Sequence, residues 1–145
     1  MKTNMLARAI SIASKAFENT FDKGGKPYIL HCLRVMFSVK QEEERMIIAI
    51  LHDVNEDFPD LYPISFFVKE GFSDRVISAL ILLSHDKDKV SYDDYIKAIA
   101  LNEDAKDVKK RDLEDNSNIT RLKGIRKKDL DRIEKYHKSY LYLTD

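Results

Sequence analysis

Apolar residues recur at helical spacing along almost the whole chain. Residues 73–84 are typical, because Val76, Ala79, Leu80 and Leu83 stand at i, i+3, i+4 and i+7 and form one amphipathic face. Comparable stripes and breaks predict eight helices: 4–18, a helix running from Pro27 to about Lys40, 42–57, 63–70, 73–84, a helix that follows Ser91, 104–116 and 127–142. The expected fold is all-α, a single compact helical bundle of about seven or eight helices in one domain covering residues 1–145.

Two of these helices carry specific predictions of burial. The run Met46–Leu51 is apolar on every face, which predicts a helix that is buried all round. The last helix is expected to turn Leu130, Ile133, His137 and Leu141 inward.

Composition narrows the functional classes. The 145 residues carry 25 basic and 25 acidic side chains, so no overall basic field favours nucleic acid as a partner. Cys32 is the only cysteine, which suits a reducing cytoplasm and excludes an internal disulfide. The N-terminal segment is interrupted by Arg8 and Lys15, and no apolar run approaches the ~20 residues of a membrane span. We therefore expect a cytoplasmic protein with no membrane partner.

Polar side chains gather where the most apolar helix ends. His52 and Glu56 stand four residues apart, and Asp53 and Asp57 lie beside them, so the four groups share one side of the helix. Carboxylates at a helix C-terminus oppose the helix dipole, which favours a compensating cation. For any one of these residues alone, a solvated helix end or a core histidine is the simpler interpretation. The four together favour a site.

His31 and Asp112 extend this group to a metal-ligand set. Two imidazoles and two carboxylates form a mixed nitrogen–oxygen shell, which suits Mn²⁺ or Fe²⁺ better than a structural zinc site. Four protein ligands also leave positions for water and a substrate oxygen. Periodicity alone leaves open that His31 is a core histidine and that Asp112 is a surface carboxylate.

The order His31, His52-Asp53, Asp112 resembles the H…HD…D pattern of the His-Asp (HD) phosphohydrolases. Three longer stretches resemble the guanosine tetraphosphate (alarmone) hydrolases, including their small single-domain members, and so does the Ser-Tyr-x-Asp-Tyr-Ile segment at 91–96. These stretches are Lys-x-Gly-x-Pro-Tyr-Ile-x-His at 23–31, His-Asp-x-x-Glu-Asp at 52–57 and Val-Lys-x-x-Asp-x-x-x-Asn at 108–116. The resemblance covers residues 5 to 142.

The resemblance implies a role for each motif. His31, His52, Asp53 and Asp112 would bind one divalent ion, with Mn²⁺ first and Fe²⁺, Mg²⁺ or Zn²⁺ as alternatives. Glu56 and Asp57 would orient or deprotonate the attacking water, as catalytic residues. Lys23 and Asn116 would contact the nucleotide, and Lys87 would face a phosphate. Tyr28 is a candidate for stacking on the base, with simple packing after Pro27 as the equal alternative.

The chain departs from these hydrolases at Asp22, where the family usually has an arginine. We expect a carboxylate there to repel a polyphosphate. The leading function is hydrolysis of a nucleotide phosphate or pyrophosphate, with guanosine tetraphosphate 3′-pyrophosphohydrolase-like activity first. The alternatives are hydrolysis of another nucleotide phosphate and a non-catalytic nucleotide-sensing module. The partner is a nucleotide substrate, and the sequence does not specify an oligomeric state.

Overall fold

A computed structural model describes residues 2–145, which fold into nine α-helices and a short 3-10 turn at Ile119–Arg121. The helices are α1 (Met5–Ala16), α2 (Ile29–Ser38), α3 (Glu43–Leu51), α4 (Val54–Asp57), α5 (Ile64–Lys69), α6 (Asp74–Leu83), α7 (Tyr92–Ile99), α8 (Glu103–Asn116) and α9 (Lys127–Thr144). Within this described part, no helix has the length and apolar character needed to cross a bilayer.

Helix α3 is the centre of the bundle. It packs against α1, α2, α6 and α8, and its residues from Ile47 to Leu51 are buried, as the all-round apolar pattern predicts, whereas Met46 at the start of that run is half-buried. Glu43 and Glu44 lie in its first turn, where negative charge interacts favourably with the helix dipole. A central buried helix fixes the position of whatever follows it, so the His52–Asp57 segment begins from a rigid support.

The predicted helix at 42–57 is interrupted, which accounts for nine helices instead of eight. The His52 imidazole donates its Nδ1 proton to the carbonyl oxygen of Ala49 over 2.6 Å. In an uninterrupted helix that carbonyl would accept the backbone N–H of Asp53. The Ala49 carbonyl instead accepts the His52 side chain and, over 3.4 Å, the His52 backbone N–H, and α3 ends there before α4 begins at Val54.

The predicted inward face of α9 is wrong in part. Leu130 and Leu141 are 56% and 50% exposed, and His137 is exposed as well. The buried residues of α9 are Asp129, Ser139 and Leu143. Asp129 is buried because it accepts hydrogen bonds from the Arg126 backbone and the Arg132 side chain, a pairing that an apolar-periodicity argument does not detect.

Candidate metal centre

The structure brings the four predicted ligands together although they come from three parts of the chain. His31 lies on α2, His52 and Asp53 lie between α3 and α4, and Asp112 lies on α8. One ligand atom from each residue falls within 4.8 Å of the others, and all four side chains are buried. Ligand–metal bonds of about 2.0–2.2 Å place the ligands of one ion at such mutual distances. The chemistry and spacing of this set fit a single divalent ion.

Both histidines present Nε2 to the centre because Nδ1 is already engaged. His31 Nδ1 lies 2.6 Å from Asp115 Oδ2, and His52 Nδ1 lies 2.6 Å from the Ala49 carbonyl oxygen. A carboxylate and a carbonyl can only accept, so each Nδ1 carries a proton. His31 Nε2 is 3.0 Å from Asp112 Oδ1, and His52 Nε2 is 3.1 Å from Asp53 Oδ2. The nitrogens that face the carboxylates are therefore the ones available to a metal.

The two carboxylate ligands are held by neighbouring side chains. The Tyr28 hydroxyl donates to Asp53 Oδ2 over 2.6 Å. Lys109 Nζ donates to Asp112 Oδ2 over 2.9 Å, and Asn116 Nδ2 donates to Asp112 Oδ1 over 3.0 Å. Such partners orient the ligands of a metal site and limit its reorganisation on binding.

The buried carboxylates of the cluster need nearby positive charge to stay ionised. Burial alone lowers the pKa of His31, but hydrogen bonds to Asp112, Asp115 and Asp53 outweigh it and raise that pKa to about 10. Burial alone raises the pKa of Asp112, but Lys109 and the two histidines hold it well below its usual range. Two buried carboxylates thus stay ionised only with cationic partners, and a divalent ion is one such partner.

Glu56 and Asp57 lie on α4, next to the ligands. Burial, followed by the negative charge of Asp53, raises the pKa of Glu56 to about 7. The same two causes raise the pKa of Asp57 to about 6, although much of its side chain is exposed. Carboxyl groups with pKa values near neutrality can accept or donate a proton at physiological pH, and a bound cation would lower both values.

A cavity of about 350 Å³ opens beside the cluster. Tyr28 and Asn116, which hold the two carboxylate ligands, also line this cavity, so it borders the metal centre. Three cationic side chains and one carboxylate lie in its wall: Lys23, Arg121, Arg132 and Asp22. Burial and the nearby Arg132 charge lower the pKa of Lys23, which reflects this concentration of positive charge. The cavity suits an anionic ligand.

Asp22 lines this cavity, but its negative charge is compensated by neighbouring groups. Its Oδ1 accepts the backbone N–H groups of Gly24 and Lys26, each at 2.9 Å, and its Oδ2 pairs with Arg121 Nη2 at 3.2 Å. Gly24 packs so closely that an added Cβ would lie 2.1 Å from the Arg121 carbonyl oxygen. Asp22 thus closes the turn at 22–26 and ties it to the segment at 119–121. The expected repulsion is offset by a neighbouring guanidinium.

Of the four predicted substrate contacts, three line the cavity and one does not. Lys23, Tyr28 and Asn116 line the cavity, whereas Lys87 is exposed in the loop between α6 and α7 and does not line it. The Tyr28 ring packs 4.8 Å from that of Phe17, so the packing interpretation applies to it whether or not it also stacks on a base. Sequence reasoning missed Arg132 and Tyr136 as cavity residues. They stand at i, i+4 on α9, a spacing that predicts a shared face without showing what that face contacts.

Comparison with solved structures supports the fold. The chain is similar to a protein described as a metazoan ortholog of SpoT that hydrolyzes ppGpp and plays a role in starvation responses. The TM-score is 0.78 at 19% sequence identity, and the match covers 99% of this chain and 86% of that chain. No family model matches the sequence, and no curated protein matches it significantly. The all-helical bundle that the helical periodicity predicts is therefore confirmed.

Proposed function

We propose that this protein is a metal-dependent phosphohydrolase that cleaves a nucleotide phosphate or pyrophosphate, with guanosine tetraphosphate as the leading substrate and the 3′-pyrophosphate as the group removed. Residues 1–145 would form its one catalytic domain. The observation that carries the proposal is the four-ligand cluster, with two carboxyl groups of raised pKa next to it and a cavity lined with cations on its border. The similar protein of known structure is described as hydrolyzing ppGpp, which agrees with this choice.

His31, His52, Asp53 and Asp112 would hold the ion, with Mn²⁺ first because the ligand set is mixed nitrogen and oxygen. A divalent ion in this position would polarise a phosphoryl oxygen and lower the pKa of a bound water. Glu56 would take the proton from the attacking water, because a bound cation would lower its raised pKa and leave it as a carboxylate that can accept a proton. Asp57 would orient that water from the same short helix.

The nucleotide would lie in the cavity with its phosphates toward the cluster. Lys23 is the first candidate for phosphate contact. In the described chain it forms no ion pair, whereas Arg121 pairs with Asp22 and Arg132 pairs with Asp129. Tyr28 and Asn116 would then contact the substrate from the wall that also supports the metal ligands. A cytoplasmic location is part of the proposal, since a single cysteine suits a reducing compartment.

A screen of nucleotide phosphates tests this function. The purified protein with added Mn²⁺ is incubated with guanosine tetraphosphate and with nucleoside mono-, di- and triphosphates, and released phosphate and pyrophosphate are measured. Glu56→Gln serves as the matched control, because it keeps the metal ligands and the cavity. Pyrophosphate released by wild type and not by Glu56→Gln supports the proposal. Release from a different nucleotide would retain the enzyme class and change the substrate.

A nucleotide-sensing module without turnover is the alternative from another functional class. Its main support in the sequence was Asp22, and that carboxylate is paired with Arg121. Tight nucleotide binding without product from any nucleotide in the screen would favour this alternative.

A further inference from the structure

We propose that Asp115 is a positioning residue of the metal centre, which sets His31 in the orientation and tautomer that a divalent ion needs, and that Arg34 and Arg121 hold Asp115 in place for this task. The inference rests on the proposed function, because it concerns the same centre. It adds three residues that the motif resemblance does not include.

Both carboxylate oxygens of Asp115 accept hydrogen bonds. Its Oδ2 lies 2.6 Å from His31 Nδ1, 2.8 Å from Arg121 Nη1 and 3.1 Å from Arg34 Nη2. Its Oδ1 accepts from Arg34 Nε over 2.8 Å. The side chain is only 12% exposed. A carboxylate with four donors in a largely buried site has little freedom to rotate, so the direction of the His31 contact is fixed.

This contact determines which His31 nitrogen can bind a metal. A histidine ligand offers one ring nitrogen, and the hydrogen bond made by the other selects the tautomer. With Nδ1–H donated to Asp115, Nε2 is left to face Asp112 and Asp53. Without the carboxylate, the ring could rotate or carry its proton on Nε2, and either change would compete with metal binding.

The two histidines are supported by different means. His52 Nδ1–H is held by the backbone carbonyl of Ala49, which no substitution removes directly. His31 depends on a side chain, so its support can be removed without changing a ligand. Arg121 also pairs with Asp22 and donates to the Asp115 carbonyl oxygen, which connects the cavity loop to this support.

The test compares Asp115→Leu, Asp115→Asn and Arg34→Gln with Glu114→Gln as the matched control. Glu114 is the adjacent residue on α8, but it is exposed, and within residues 2–145 its one ion pair is with Arg111. Zn²⁺ and Mn²⁺ affinities are measured by calorimetry, and circular dichroism verifies folding. Long-range ¹H–¹⁵N spectra of the Zn²⁺-loaded protein report the protonation of each histidine nitrogen, which a merely structural role would not change.

Asp115→Leu should weaken metal binding by about 10–100-fold, the usual scale for a lost partner of a ligand histidine. Asp115→Asn keeps an acceptor and should lose less. The slowly exchanging His31 Nδ1–H signal should disappear in Asp115→Leu and persist in Glu114→Gln. Wild-type affinity in folded Asp115→Leu would overturn the inference while leaving the proposed function intact. If Asp115→Leu fails to fold, unchanged affinity and an unchanged His31 signal in both Asp115→Asn and Arg34→Gln would also overturn it. Wild type without metal affinity would overturn both proposals.

Discussion

The metal cluster and the cavity beside it are built in different ways. The four cluster ligands lie on or directly beside helices of the buried core, and three of these helices, α2, α3 and α8, pack against one another. The cavity is lined largely by the turn at 20–24, the segment at 116–122 and one face of α9. Helices fixed by core packing position side chains closely, whereas loops depend on individual hydrogen bonds such as those of Asp22. Changes in the cluster should therefore be severe, and changes in the cavity should be graded.

The largest effect is expected inside the cluster. Asp53→Ala should abolish metal uptake, because it removes a ligand and a negative charge together. Losing only a partner of a ligand typically costs about 10–100-fold in affinity, so the loss of a ligand should exceed this range. Metal content after dialysis and calorimetric titration measure the result.

Asp60→Ala is the control for this experiment, because it removes an exposed carboxylate just beyond α4. It should bind metal like wild type. If Asp53→Ala also bound as tightly as wild type while folded, the assigned centre would be wrong.

The next effect is on catalysis at the edge of the cluster. Glu56→Gln should lower turnover by about 10²–10⁴-fold, the scale of a lost general acid–base group, and leave metal affinity within a factor of a few. The glutamine keeps the shape of the side chain but cannot accept a proton. Steady-state kinetics on the verified substrate, together with a metal titration, separate the two quantities. An unchanged rate would remove Glu56 from the proposed role.

The ligands of the cluster are also easier to predict from the sequence than the residues around them. The helical periodicity predicts nearly every helix, because the apolar stripes of a bundle are a local property of the chain. The sequence motifs predict the set His31, His52, Asp53 and Asp112, and the fold brings the four residues together. The sequence assigns no role to Asp115 and Arg34 and does not place Arg121 beside them, because nothing in their spacing shows that α2, α8 and the turn at 119–121 meet at one carboxylate. The ion pair of Asp22 escapes sequence reasoning for the same reason, since 99 residues separate it from Arg121.

The raised pKa of Glu56 should also make the free energy of unfolding depend on pH. This effect on stability is smaller than the effect on turnover. Burial and Asp53 raise the pKa of Glu56 from 4.5 to about 7 in the folded protein. A raised pKa means that its stabilising contribution is complete below about pH 4.5 and is lost as pH rises through about 7. Glu56→Gln should therefore leave the free energy of unfolding unchanged at pH 4 and increase it by about 1–2 kcal/mol at pH 8, after allowance for partial exposure.

Thermal or urea unfolding in the presence of a chelator measures this difference. Glu134→Gln, an exposed position on α9, is the control and should show no such pH dependence. A stabilisation of equal size at pH 4 and pH 8 would mean that the gain comes from the glutamine side chain and not from the titration of Glu56.

The smallest effect is expected in the cavity, and it separates two views of Asp22. The sequence alone suggests that Asp22→Arg would lower KM for guanosine tetraphosphate by replacing repulsion with attraction. The structure predicts otherwise, because an arginine there would face Arg121 and leave the N–H groups of Gly24 and Lys26 without their acceptor. Asp22→Arg should therefore raise KM.

Asp22→Asn keeps the acceptor for the turn and removes one negative charge. KM should then fall by about 2–5-fold with kcat nearly unchanged, since one charge at 4 Å in water-like dielectric contributes about 1 kcal/mol at most. The gain should shrink at high salt, because screening weakens the charge that the substitution uncovers. Kinetics of both variants at low and high ionic strength decide the matter. If Asp22→Arg lowered KM more than Asp22→Asn, the carboxylate would face the nucleotide directly and the pairing with Arg121 would have no part in recognition.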